Sequence, residues 1–127
     1  MAIERVVYVK KADLNINAKR RVSTVMNGSD NEFEPSEVRV LVIDERGNFG
    51  GHWREYDEVW GFLGEAKVTL EDIETKERKT YEAVNGTRIF IPSRVASKVE
   101  ANKGTSIVTC APYSANREKQ THKYEIN

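Results

Sequence analysis

The sequence predicts an all-β domain, and three observations carry that reading. Ala66, Val68 and Leu70 alternate with Lys67, Thr69 and Glu71, a period of two rather than 3.6. Short runs rich in β-branched and aromatic residues recur along the chain, divided by turn chemistry such as Asn85-Gly86 and Pro92-Ser93. Nine such runs are too many for a two-layer α/β unit and suit a sandwich or a barrel.

Taken in order, the first run is 5–10. Its segment Arg5-Val6-Val7-Tyr8-Val9 is apolar and β-prone, and left unpaired it would be an exposed edge. It is expected to complete a sheet, in a twofold partner if not in its own chain, so a homodimer is the expected assembly. Runs 21–26 and 37–44 end at Asn27-Gly28-Ser29-Asp30 and Arg46-Gly47-Asn48. Runs 58–63 and 65–73 follow, and the polar segment 74–79 reads as the solvated tip of a hairpin leading into 79–84. Runs 88–91, 96–101 and 105–111 complete the set, the last two divided by Asn102-Lys103-Gly104. The tail 116–127 is polar enough to lie on the surface or to be partly disordered. Inward positions are read at Val38, Val40, Val42, Trp60, Phe62, Val68, Leu70, Phe90, Val99 and Val108.

A chain of 127 residues is one domain, 1–127, and its 39% hydrophobic residues suffice for one core. Lys plus Arg and Asp plus Glu both number 20, so there is no basic field to attract nucleic acid or an anionic membrane. No apolar run approaches the roughly 20 residues that span a bilayer. The first residues lack the layout of a secretory signal, and a cytoplasmic protein is expected. The single cysteine, Cys110, excludes an intrachain disulfide and fits a reducing compartment. It lies in the apolar run 107–111 and reads as a buried, inert thiol. Asn27-Gly28-Ser29 and Asn85-Gly86-Thr87 match the glycosylation pattern but read as turns.

The stretch from Gly47 to Gly64 concentrates polar and aromatic groups among glycines and is the best candidate site. If extended, it projects His52, Arg54, Tyr56, Glu58, Trp60 and Phe62 to one face, and Trp53, Glu55, Asp57, Val59 and Leu63 to the other. The first face is either the wall of a pocket for a polar ligand or a satisfied polar network at a barrel mouth. Gly47, Gly50 and Gly51 do not form a phosphate-binding loop, because no Gly-Lys-Ser/Thr follows.

The same stretch resembles the first cupin motif: His52, Arg54 where a second His would stand, Glu58 after three residues, and Gly64 one residue early. The second motif is echoed by Gly86, five residues and Pro92, with Arg94 in place of Gly and Ser97 in place of the final His. The resemblance covers about 37–112 and implies a double-stranded β-helix, the cupin jelly-roll barrel. In metal-binding cupins the two first-motif His, the Glu and the second-motif His hold the ion. Here only His52 and Glu58 remain, and Arg54 is a permanent cation that opposes a divalent metal. No metal and no cofactor are expected, and a metal-dependent dioxygenase is the least favoured reading. Alternation with Val95 and Val99 still turns Ser97 inward.

Among cupins, the sequence looks most like metal-free members acting on nucleotide sugars: sugar 3,4-ketoisomerases, relatives of dTDP-4-dehydrorhamnose 3,5-epimerase, and the cupin domain of capsular-polysaccharide biosynthesis proteins. The shared features are the Arg46-Gly47 turn, Gly51-His52, and a tail beyond the last strand. That resemblance implies a sugar or nucleotide-sugar ligand and isomerisation or epimerisation by proton transfer. His52 would be the base, oriented by Glu58, and Tyr56 the acid. Arg54 or Arg88 would hold a phosphate or an enolate oxygen, and Trp60, Phe62 and Ser97 would complete the substrate wall. The alternative is a cupin that binds a small polar metabolite without transforming it.

Overall fold

The computed structural model describes residues 1–27, 33–114 and 116–127. A short 3-10 turn, Ala2–Arg5, precedes strands β1 (Val7–Val9), β2 (Asn15–Ile16), β3 (Arg21–Val22), β4 (Glu37–Val42), β5 (Gly47–Arg54) and β6 (Glu58–Leu63). There follow β7 (Ala66–Asp72), β8 (Arg78–Ala83), β9 (Arg88–Ile91), β10 (Val95–Ala101), β11 (Ser106–Ala111) and β12 (Thr121–Lys123). Two five-stranded sheets dominate, in the orders β1-β9-β6-β11-β4 and β12-β5-β10-β7-β8, and β2 with β3 forms a small ribbon. Every ladder is antiparallel, as expected for a domain whose sequence alternates with period two.

The inner faces of the two sheets share one core. Trp60, Phe62, Ile89, Ile91 and Ile107 come from the first sheet, and Val68, Leu70, Val95, Val99 and Ala101 from the second. A smaller cluster of Val59, Phe90 and Cys110 lies on the opposite face of the first sheet, covered by Val25, Met26, Phe33 and Val108. The chain crosses this face so closely that a Cβ on Gly61 would stand 2.4 Å from Val25 Cγ2. Phe90 and Val108 therefore belong to the outer cluster and not to the barrel interior that their apolar character suggested.

The largest difference from expectation lies in β4. Val38, Val40 and Val42 are 58%, 64% and 61% exposed, whereas Glu37, Arg39 and Leu41 line an internal cavity. Hydrophobicity pointed the strand the wrong way because its inward face is partly polar, which is the usual mark of a functional site.

At the N-terminus, β1 pairs in its own chain with β9, Val7 opposite Phe90, and so completes the first sheet as its end strand. The hairpin expected around 74–79 is present between β7 and β8. Asn85-Gly86 forms a turn, with Gly86 at φ +83°. Residues 28–30 of the turn expected at 27–30 lie outside the described residues.

The C-terminal segment is built into the fold. Strand β12 extends the second sheet on β5, and Tyr124 N–H donates to Gly51 O at 2.9 Å. The Tyr124 hydroxyl hydrogen-bonds Glu71, Arg78 Nη1 donates to Asn127 O at 2.6 Å, and Ile126 is buried. Its polarity serves these contacts. No helix among the described residues is long and apolar enough to cross a membrane.

Candidate functional site

A bulge sets the direction of the central histidine. On β5, Phe49 pairs with Val99 and Gly50 with Lys98, but His52 pairs with Ser97, so Gly51 is an extra residue. Because strand side chains alternate with period two, one added residue reverses the faces beyond it. Regular pairing would place His52 with Lys98 and Gly50 on the outside; the bulge turns it inward beside Ser97. Gly50 has φ +101°, and a Cβ there would meet Ser97 O at 2.5 Å, so no other residue fits this approach.

Beyond the bulge, β5 ends at Arg54 and the chain passes through the corner 55–57 into β6, in the other sheet. The link between β9 and β10 fixes this corner: Arg94 N–H donates to Arg54 O at 3.0 Å and Ser93 N–H to Asp57 Oδ1 at 2.8 Å. The inward residues of both strands consequently converge. His52, Arg54, Tyr56, Glu58 and Trp60 line one inner chamber of about 120 Å³, with Glu37, Arg39 and Leu41 of β4 opposite. A cleft of about 930 Å³ shares Arg39, His52, Arg54 and Tyr56 with the chamber, and its outer wall is the C-terminal segment with Arg117, Thr121, Lys123 and Tyr124.

Arg54 and Glu58 form a largely buried ion pair at 2.7 Å. Burial pushes the Glu58 carboxyl above its ordinary 4.5, opposed by Arg54, Trp60 and Arg117. Trp60 Nε1 is buried without completing a hydrogen bond, although it lies near enough to favour the Glu58 carboxylate. His52 is pushed below its ordinary 6.5, first by burial and then by the Arg54 cation, so it is neutral near pH 7. A hydrogen bond with the Gly50 backbone acts in the opposite sense, as a bond donated by the ring does. His52 Nε2 is buried with no partner. The proton therefore belongs on Nδ1, and Nε2 keeps its lone pair.

The stretch read from the sequence thus brings His52, Arg54, Tyr56, Glu58 and Trp60 together, and three residues stand elsewhere. Glu58 hydrogen-bonds Arg54 and leaves His52 Nε2 unengaged, so the expected orientation of His52 by Glu58 is not what the geometry shows. Phe62 is buried in the main core, away from both cavities. Ser97 faces inward opposite His52, as alternation predicted, and is buried beneath the wall. Arg88 pairs with Gly61 and shares the outer face of its strand with Phe90, across the first sheet from the cleft. It lines neither the cleft nor the inner chamber.

Sequence reasoning missed Glu37, Arg39 and Arg117. For the first two the signal was present, since Glu37 and Arg39 alternate with valines and one of the two faces had to meet the barrel. Arg117 sits in a tail whose composition carries no sign of its place. Its Nε pairs with Glu37 Oε2 at 3.2 Å, Nη2 donates to Pro112 O at 2.6 Å, and the guanidinium lies 5.0 Å from the Tyr56 ring centroid.

The donor set does not suit a metal. Arg54 occupies Glu58, and among the described residues no three His, Cys, Asp or Glu side chains converge. Cys110 is buried outside the barrel interior, and burial raises its thiol.

No protein-family pattern matches the sequence, and no curated protein matches it significantly. Solved structures do resemble it. The dTDP-4-dehydrorhamnose 3,5-epimerase from Sulfolobus tokodaii superposes with a TM-score of 0.77 at 10% identity, over 93% of this chain and 76% of that one. The chain has the cupin fold. The 3,4-ketoisomerase QdtA from Thermoanaerobacterium thermosaccharolyticum, solved as a mutant with TDP-4-keto-6-deoxyglucose, gives 0.73 at 16% identity over 91% and 85%. The 3'-monoepimerase ChmJ from Streptomyces bikiniensis, solved with dTDP-quinovose, gives 0.73 at 12% identity over 93% and 68%.

Proposed function

We propose that the cleft binds a sugar or nucleotide sugar of the cytoplasm and isomerises or epimerises it by metal-free proton transfer. The observation that carries this reading is His52: a neutral imidazole in the cleft wall, whose Nε2 lone pair no protein group engages. Nε2 removes the proton from the carbon beside a keto group, and the electron pair of that C–H bond moves onto the carbonyl oxygen to give an enolate. Arg54 lies in the same wall and stabilises the developing charge. Tyr56, lining both cavities, returns a proton to carbon. The structural likeness to nucleotide-sugar isomerases and epimerases supports the choice of substrate class.

One observation favours a second reading, a binding module without catalysis. Glu58 is engaged with Arg54, so no carboxylate raises the basicity of His52. Deuterium exchange from solvent into a panel of dTDP- and UDP-keto-sugars separates the two. Exchange that falls by about 10²–10⁴ in His52→Ala supports the enzyme. Saturable binding without exchange leaves the binding module.

A further inference from the structure

Arg39 Nε lies 3.0 Å from Glu37 Oε1, and Arg117 Nε lies 3.2 Å from Glu37 Oε2. Two guanidinium groups thus share one carboxylate, which leaves a positive charge in excess at this corner of the cleft. Arg117 has two other anchors, Pro112 O and the Tyr56 ring, while its Nη1 is buried without an acceptor. An arginine cannot relieve such a deficit by losing its proton.

Resting on the reading of the cleft as a ligand site, we propose that Glu37 stands in for an anionic group of the ligand, and that Arg117 leaves Glu37 to bind that group, a phosphate or a carboxylate. Glu37 is the replaceable partner of Arg117 for two reasons. Arg39 already satisfies its other oxygen, and its side chain is 35% exposed, where an ion pair is weak. Pro112 O and Tyr56 hold the guanidinium in place during the exchange, so the Nε–H that Glu37 vacates is pre-aligned for a charge-assisted hydrogen bond. Lys123 lines the same cleft. Glu118 and Glu125 line it too, so recognition depends on the directed guanidinium N–H and not on a long-range field.

The test is calorimetric titration of wild type, Glu37→Gln, Arg117→Met and Arg117→Lys with inorganic pyrophosphate and, separately, with malonate. The stronger of the two identifies the anion as phosphate or carboxylate. Glu37→Gln removes the internal competitor and should tighten binding by about two- to fivefold, the size of a partly exposed ion pair. Arg117→Met should weaken it by about tenfold or more, with Arg117→Lys intermediate. A purely structural Arg117 predicts that Glu37→Gln does not tighten binding and that Arg117→Met leaves it unchanged, and either result overturns the proposal. So does failure of both anions to saturate the wild type. If Arg117→Met does not fold, the Arg117 Nε–H resonance of the wild type decides: movement on titration supports the proposal and a stationary signal overturns it. The keto-sugar exchange assay is independent. Loss of exchange with Arg117-dependent anion binding retained removes only the catalytic reading, and the converse removes only the Arg117 site.

Discussion

Arg54 Nη1 donates a 2.7 Å hydrogen bond to Glu58 Oε1, tying the end of β5 in one sheet to the start of β6 in the other. The side chains are 19% and 10% exposed, so each charge depends on its partner for compensation. Arg54→Met should destabilise the fold by about 3–5 kcal/mol, because it strands a buried carboxylate, and Arg54→Met with Glu58→Met should recover much of that loss. Urea denaturation measures both. Equal losses in the single and double variants would show that packing and not charge compensation is at stake.

His52 titrates with its pKa below 6.5, which ring-proton NMR against pH will show. The sign of the stability effect follows. A histidine with a depressed folded pKa favours the folded state when neutral, so its contribution is present above about 6.5 and is lost as pH falls toward the folded value. Between pH 7 and 5 the wild type should therefore lose more stability than His52→Gln. A midpoint above 6.5 would sink this account.

Gly50→Ala forces a Cβ into Ser97 O and a side chain into positive φ. It should cost more than about 1 kcal/mol and disturb the register that aims His52 inward. Thermal denaturation reads the first effect, and keto-sugar exchange or binding reads the second. A variant as stable as wild type would mean that the bulge relaxes freely.

Association remains a proposal, and the first sheet offers a second edge for it besides β1. The N-terminal strand is paired in its own chain, while Val38, Val40 and Val42 form an exposed apolar stripe on the edge strand β4. A homodimer should sediment at high micromolar concentration, and Val40→Asp should shift it to monomer. A monomeric wild type would rule the dimer out.

Alternation and turn chemistry determined the all-β class, and eight of the nine expected strand runs correspond closely to strands of the two sheets, because period-two patterning and glycine-rich turns are local properties of the chain. The run at 21–26 is the exception: only Arg21–Val22 is strand, in the small ribbon, and Val25 and Met26 instead pack on the outside of the first sheet. The local pattern also identified His52, Arg54, Tyr56, Glu58 and Trp60 as one group, and the converging inner faces of two sheets keep them together. Tertiary structure alone decided the rest. Which face of β4 meets the barrel depends on what covers the other face, and the outward direction of Arg88 depends on the segment carrying Val25. The inward turn of His52 depends on an extra residue that is visible only against the neighbouring strand. Arg117 reaches Tyr56 because β12 finds the free edge of β5, a pairing between residues about 70 apart that no short window of sequence contains.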